Sequence, residues 1–169
     1  IVRVGPVSPI RRISDATRLA RDGDIVEIEP GDYRGDVAVW KHKRLTIRRA
    51  PSPGGRTAIA RDPVRLIAAG QAAEGKAIWV IRNGVFDIEG IEFHGARVPH
   101  RNGAGIRFEG GRLNVRDCRF LDNETGILTT SGEQLDADVI ITATGFDLSV
   151  LGDIAFNVDG RPVNYADTI

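Results

Sequence analysis

VFDIEGIEF at Val85–Phe93 and RLNVRDCRF at Arg112–Phe120 are one pattern written twice, 27 residues apart. Superposed, they set Phe86 on Leu113, Ile88 on Val115, Ile91 on Cys118 and Phe93 on Phe120. Between these positions Glu89 meets Arg116. Apolar and polar residues alternating at period two mark a strand with one buried face. A second pattern, a small residue followed by isoleucine, recurs at Ala77-Ile78, Gly105-Ile106 and Gly126-Ile127, at spacings of 28 and 21.

Working outward, short strands are predicted at Val37–Trp40, Arg44–Arg48, Val64–Ala68, Ala77–Ile81, Gly105–Phe108 and Gly126–Thr129. No convincing amphipathic helix separates them, which argues for an all-β class. Two strand patterns recurring together at about one solenoid turn indicate stacked coils of a parallel β-helix. Arg97–Asn102 is then a loop inserted at one corner. Upstream, Ile13–Tyr33 reads as a helix over about 13–22, with Ser14 as its cap, then a strand from Ile25 and a turn at Pro30-Gly31-Asp32. Alone, that stretch also fits a helix–strand unit of an α/β protein. Within the repeat it caps the first coil, whose strand edge is otherwise unpaired. Cys118, standing where Ile91 stands one coil earlier, is expected to be a packing residue.

Ser14-Asp15-Ala16, Asp22-Gly23-Asp24-Ile25-Val26 and Pro30-Gly31-Asp32-Tyr33 together resemble the opening of right-handed parallel β-helix proteins of the pectate-lyase-like superfamily. Asn102-Gly103-Ala104-Gly105-Ile106 and Cys118-Arg119-Phe120 with Asn123-Glu124-Thr125-Gly126-Ile127 resemble their later coils. The likeness covers about residues 1–130 and implies the fold. It implies no single activity, because one fold hosts many functions. The resulting expectation is an all-β, short right-handed parallel β-helix with an N-terminal capping helix and a C-terminal strand plus hairpin.

From about Ser131 the character changes. QLDADVIITATGF at Gln134–Phe146 is similar to a late segment of Baeyer–Villiger-type flavin monooxygenases, carried by Asp138, Val139, Ile140, Ala143, Thr144, Gly145 and Phe146. The likeness covers about 131–169. A dinucleotide is ordinarily held at a Gly-rich strand–helix turn. No GxGxxG occurs in this chain, so no cofactor is expected. The tail is read as extending or capping the β-helix rather than as a domain of its own. Leu135, Ala137 and Ile140 would continue the inward series, and Arg48, Glu89, Arg116 and Asp138 would form an outward column of alternating charge. Val139 and Ile141 then face outward, which implies cover from a second subunit. Asp159-Gly160 between apolar runs signals a hairpin.

Composition narrows the partners. Lys plus Arg and Asp plus Glu are 23 each, so the net charge is zero and the basic surplus that displaces counterions from phosphate polymers is missing. No nucleic acid is expected. No apolar stretch is long enough for a membrane span. A single cysteine, Cys118, forms no intrachain disulfide, and the compartment stays open between a secreted or cell-surface ancestry and others.

Candidate chemistry gathers at one polar corner. His94 and His100 offer metal ligands, but six residues apart they match no standard zinc spacing, and no metal is expected. Arg97 or Arg101 suits a sugar carboxylate. Asp122 and Glu124 offer an acid–base pair, or simply turn residues bonding their own backbone. If Ile78, Ile106 and Ile127 point inward, the exposed column beside them is Trp79, Arg107 and Leu128, with Glu109 opposite Ile81 and Thr130. That column lacks the paired carboxylates of a glycosidase or lyase. No G-x-S-x-G nucleophile turn occurs. The reading is therefore a catalytically silent scaffold or carbohydrate-binding fragment, a chimera with a monooxygenase remnant, self-associating through its C-terminal region. The alternative is a polysaccharide-acting lyase or hydrolase using His94, His100, Arg101, Arg107, Asp122 and Glu124.

Overall fold

The computed structural model of the chain describes residues 1–51, 63–130, 156–158 and 161–163. In chain order its first elements are β1 (Val2–Val4), α1 (Ile13–Leu19), β2 (Ile25–Ile28), β3 (Gly31–Arg34), β4 (Ala38–Trp40) and β5 (Arg44–Arg49). Then come β6 (Val64–Ile67), β7 (Ala77–Arg82), β8 (Val85–Glu89), β9 (Ile91–His94) and β10 (Ala104–Glu109). The last are β11 (Arg112–Arg116), β12 (Arg119–Leu121), β13 (Thr125–Thr129), β14 (Phe156–Val158) and β15 (Arg161–Val163). Two compact units divide the chain, Ile1–Glu133 and Gln134–Ile169.

In the first unit the strands form three sheets, ordered β1-β2-β5-β8-β11, β4-β7-β10-β13 and β3-β6-β9-β12. Every pairing in them is parallel. In the second unit β14 and β15 pair antiparallel, Phe156 with Val163 and Val158 with Arg161.

This topology corrects the class expected from the sequence. Instead of an all-β, helix-capped right-handed β-helix, the described residues form three parallel sheets of five, four and four strands with one α-helix, while the C-terminal hairpin expected around Asp159-Gly160 is present as β14–β15. Sheets that are parallel throughout group with α/β arrangements, and the solenoid and pectate-lyase-like labels are set aside with the β-helix. A recurrence of 27 residues identifies which strands are neighbours; it leaves open how the sheets are disposed. The inward series proposed for Leu135, Ala137 and Ile140, and the place of Asp138 in the charged column, lie outside the described residues.

The helix also differs from expectation. It ends at Leu19, and its N-cap is Arg12, which makes no side-chain cap bond. Ser14 is inside the first turn. The free N–H groups of Ile13 and Ser14 donate instead to the carboxylate of Asp36, from the β3–β4 connection and only 6% exposed. A cap supplied from a distant segment satisfies the same orphan donors as a local one. Ile13 and Ala16 are the buried face, against β1 and β4.

The core lies within the first unit. Val26, Ile28, Leu45, Ile47, Leu66, Phe86, Ile88, Ile91 and Phe93 are all buried. An aromatic file runs through it: Trp40 meets Trp79 edge-on at 5.5 Å, Trp79 meets Phe93 edge-on at 5.1 Å, and Phe93 stacks on Phe120 at 5.0 Å. Offset and edge-on pairs suit the ring quadrupoles.

The 27-residue offset is the observed register for β8 on β11, with Phe86 on Leu113 and Ile88 on Val115, and for β9 on β12, with Phe93 on Phe120. The spacing of 28 is corrected. Ile106 lies on Trp79, leaving Gly105 level with Ile78, and Glu109 lies on Arg82 rather than on Ile81. A slip of one residue exchanges the faces of a strand. Trp79 is therefore wholly buried instead of exposed. The column beside Arg107 is Val80 and Leu128.

Polar side chains on neighbouring strands form alternating ladders. One runs Arg3, Glu27, Arg48, Glu89, Arg116 by register, with Glu27 2% exposed and bonded to Arg3 at 3.3 Å and Arg48 at 2.8 Å. A second runs Asp32, Arg65, Glu92, Arg119, at 3.1, 3.5 and 3.3 Å. The pairs of these ladders that are exposed on both sides contribute only about 0–1 kcal/mol each, and their effect is on register more than stability. Buried Glu27 is not among them. The Arg48 hydrogen bond holds the Glu27 carboxyl below its ordinary range against the opposing effect of burial.

Candidate functional site

Two polar clusters carry the residues singled out by the sequence. The first is the corner formed by the loop after β9 and the turn before β13. Glu124 accepts hydrogen bonds from the backbone N–H groups of Gly103 at 2.7 Å and Val98 at 3.0 Å. Asn123 accepts from the Ala96 N–H at 2.9 Å and donates to the Phe93 carbonyl at 2.9 Å. Asp122 pairs with Arg97, which also donates to the Asp122 carbonyl. Three consecutive side chains thus clamp the loop 96–103.

The Gly103 and Val98 bonds hold the Glu124 carboxyl below its ordinary range, with burial opposing and Arg97 and Arg101 assisting. Charge-assisted bonds to backbone N–H groups favour the ionised form. Gly103 fits because a Cβ there would stand 2.9 Å from both the Arg97 nitrogen and Glu124 Oε2. Asp122 takes a positive φ of 53°, a turn conformation that aspartate tolerates.

The two histidines do not converge. His94 Nε2 lies 3.1 Å from Glu92, itself held by Arg65 and Arg119. His100 and Arg101 are exposed on the loop. Among the described residues no group of three or more His, Cys, Asp or Glu side chains is disposed to hold a metal ion.

Arg107 belongs to the second cluster, on β7 and β10. Its Nε donates to Glu109 at 2.8 Å, and Glu109 also receives Lys76 at 3.1 Å and Arg82 at 2.9 Å. Arg82 extends the network to Glu74. With Arg107 as the largest influence, ahead of the opposing effect of burial and of Lys76 and Arg82, the Glu109 carboxyl falls to about 2. Among the described residues no hydrogen bond joins Arg107 to Asp122 or Glu124, so the six candidates form separate groups.

Sequence reading missed Glu74, Lys76 and Arg82 as members of this network. The Arg82–Glu109 pair sits at the same offset of 27 as the neighbouring strands and was within reach of the correct register. Glu74 was not, because it stands in a turn at a φ of 51°.

Comparison with known proteins bears on one short stretch. Over 41 residues, 24% of the chain, it is 46% identical to a probable FAD-binding monooxygenase AlmA of Acinetobacter baylyi, of which those residues make up 8%. Over 55 residues, 32% of the chain, it is 46% identical to the FAD-containing monooxygenase EthA of Mycolicibacterium smegmatis, and these are 11% of that protein. EthA of Mycobacterium tuberculosis is 44% identical over 45 residues, 27% of the chain and 9% of that protein. The chain therefore contains a fragment similar to flavin monooxygenases and spans about a tenth of their length. No protein-family model matches the chain, and no solved structure matches it.

Among the described residues no glycine-rich turn joins a strand to a helix. Gly103-Ala104-Gly105 is the nearest glycine pair, and it opens strand β10 rather than a strand–helix turn. Gly105 is there for packing: a Cβ would lie 2.7 Å from the Phe120 ring and 3.0 Å from the Gly126 carbonyl.

Proposed function

We propose that this chain is a catalytically silent scaffold or carbohydrate-binding fragment, formed as a chimera of a repeat-strand protein and a monooxygenase fragment. One observation carries the reading. Both carboxylates of the candidate corner are committed to holding the loop, Glu124 to two backbone N–H groups and Asp122 to Arg97. A general acid needs a proton available at working pH, and a general base needs a free lone pair facing substrate. Glu124 is held ionised, which leaves it no proton to give as a general acid, and its Oε2 is taken up by the two loop N–H groups. His94 likewise faces Glu92.

Self-association belongs to the same proposal. Strands β11, β12 and β13 each have one neighbour among the described residues, and a row of free backbone groups is a template for pairing. The partner is a second copy of the chain.

The test is incubation with pectin, alginate and generic esters, comparing wild type with an Arg107→Ala/Glu124→Ala variant and with His94→Gln. No turnover above the variants is expected. Turnover by the wild type that disappears in His94→Gln, with an unchanged melting profile, would favour the alternative of a polysaccharide lyase or hydrolase. Light scattering before and after truncation at Thr130 tests self-association; an unchanged monomer after truncation sinks it. A flavin protein would purify yellow, and a colourless protein is expected.

A further inference from the structure

We propose that the corner formed by Lys41, His42 and Lys43 with Arg82, Asn83 and Gly84 binds a tetrahedral oxyanion, the phosphate group of a small phosphorylated molecule. These six residues line a depression of about 340 Å³, and none of them is acidic. That volume is at the lower end of small-molecule sites, enough for a phosphate and a sugar-sized body.

This corner brings two lysines to one depression. The cations of both ladders, and Lys76, Arg82 and Arg107, face carboxylates. Lys41 and Lys43 make no ion pair among the described residues, and both are exposed. Their floor is rigid. Gly84 at a φ of 95° packs so closely that a Cβ would lie 2.3 Å from the His42 carbonyl, and Val85 donates to the Lys43 carbonyl at 2.8 Å. Lys43 is further tied by its N–H to Asp22 at 2.7 Å. The two lysines and Asn83 thus stand on closely packed backbone, while the exposed lysine side chains still lose rotamer freedom on binding.

The kind of anion follows from the kind of cation. A planar carboxylate is best met by a guanidinium fork, but Arg82 already gives its Nε to Glu109 and its terminal nitrogen to Glu74. Lysines act as point charges and suit a compact, doubly charged phosphate. No Phe, Tyr or Trp side chain lines the depression, so a broad stacking platform for a nucleotide base or a single strand is missing. The inference does not depend on the carbohydrate reading above.

The test uses the full chain at low salt, titrated with inorganic phosphate, glycerol 3-phosphate and glucuronate while the backbone amide resonances of Asn83 and Gly84 are followed. Phosphate and its ester should shift both resonances. The Lys41→Ala/Lys43→Ala variant should weaken them about tenfold or more, since a charge-assisted hydrogen bond is worth about 1.5–3 kcal/mol. Arg11→Ala/Arg34→Ala, two exposed arginines in no ion pair among the described residues and not lining the depression, removes the same net charge and should leave affinity within about twofold. Matching melting profiles establish that both variants fold. No shift at saturating phosphate, or equal weakening by both variants, overturns the site. Glucuronate binding as tightly as the ester overturns the choice of phosphate. Neutral oligosaccharide binding that survives in Lys41→Ala/Lys43→Ala would leave the scaffold proposal standing while this one failed.

Discussion

Strands β7, β8 and β9 each lie between two neighbours; β11, β12 and β13 each have one among the described residues. Their sequences are nearly the same pattern. Phe86, Ile88, Ile91 and Phe93 are buried, whereas Leu113, Val115, Cys118 and Phe120, one repeat on, are only half-buried. The difference shows that burial here is a property of the second neighbour rather than of the residue. An inward side chain on a doubly flanked strand is closed above and below, while its counterpart on the last strands is closed on one side. Stability should follow the same gradient.

The largest expected effect tests that gradient directly. Phe93 touches Trp79 edge-on and Phe120 face-on, so Phe93→Ala leaves a cavity and should cost about 3–5 kcal/mol. Phe120→Ala removes the same side chain from a half-open place and should cost about half as much. Urea denaturation of the two variants measures both. Equal losses would mean that the last strands are covered as fully as the middle ones.

Next in size is a contrast between glycines. Gly84 and Gly95 both take positive φ, 95° and 71°, so alanine is strained at either. Nothing lies within 4 Å of a Cβ at Gly95, and Gly95→Ala should cost about 1–2 kcal/mol from backbone conformation alone. At Gly84 the backbone of His42 and Lys43 must also move. Its alanine variant should be clearly the less stable of the two in thermal melts, and it should lose the phosphate response of Asn83.

Legibility from sequence divided along the same physical line. Where one strand face is buried and the other solvated, as in β8 and β11, alternation marked both the strands and their register. In β7 every residue from Ala77 to Ile81 is buried, Val80 and Ala77 on the opposite face from Trp79 and Ile81. With no polar residue to mark a face, alignment on the Ala77-Ile78 pair slipped by one. The helix was legible, but its cap was not: Asp36 follows α1 by some twenty residues and reaches it only in the fold. At the corner, the turn role of Asp122 and Glu124 could be weighed from residue type. Which N–H groups they accept from depended on loop 96–103, which carries no periodicity.

Acid should sharpen the comparison further. The ordinary Glu109 value of 4.5 falls to about 2 in the fold, chiefly through Arg107. A depressed carboxylate contributes its stability in full above the unfolded value, and that contribution is lost as pH falls from about 4.5 to about 2. Thermal midpoints should drop across that window, and Glu109→Gln should flatten the drop while lowering stability at neutral pH. If the drop is as steep in Glu109→Gln as in wild type, the cluster on β7 and β10 is not its source, and Glu27 becomes the group to substitute next.

The smallest effect is chemical rather than thermodynamic. Cys118 occupies in the last strands the place that Ile91 holds in the middle ones. Burial pushes its thiol above the ordinary range, opposed by the backbone of Ile91 and Gly90 and assisted by Asp117 and Glu89. Since the thiolate is the reacting species, iodoacetamide should modify the native protein several-fold more slowly than the urea-unfolded chain. A thiol moved to the doubly flanked place, by Ile91→Cys in a Cys118→Ser background, should be slower again, because it loses the open side as well. Two thiols reacting at one rate would show that the gradient of burial does not reach the reagent, and that the last strands are closed by something beyond the residues described.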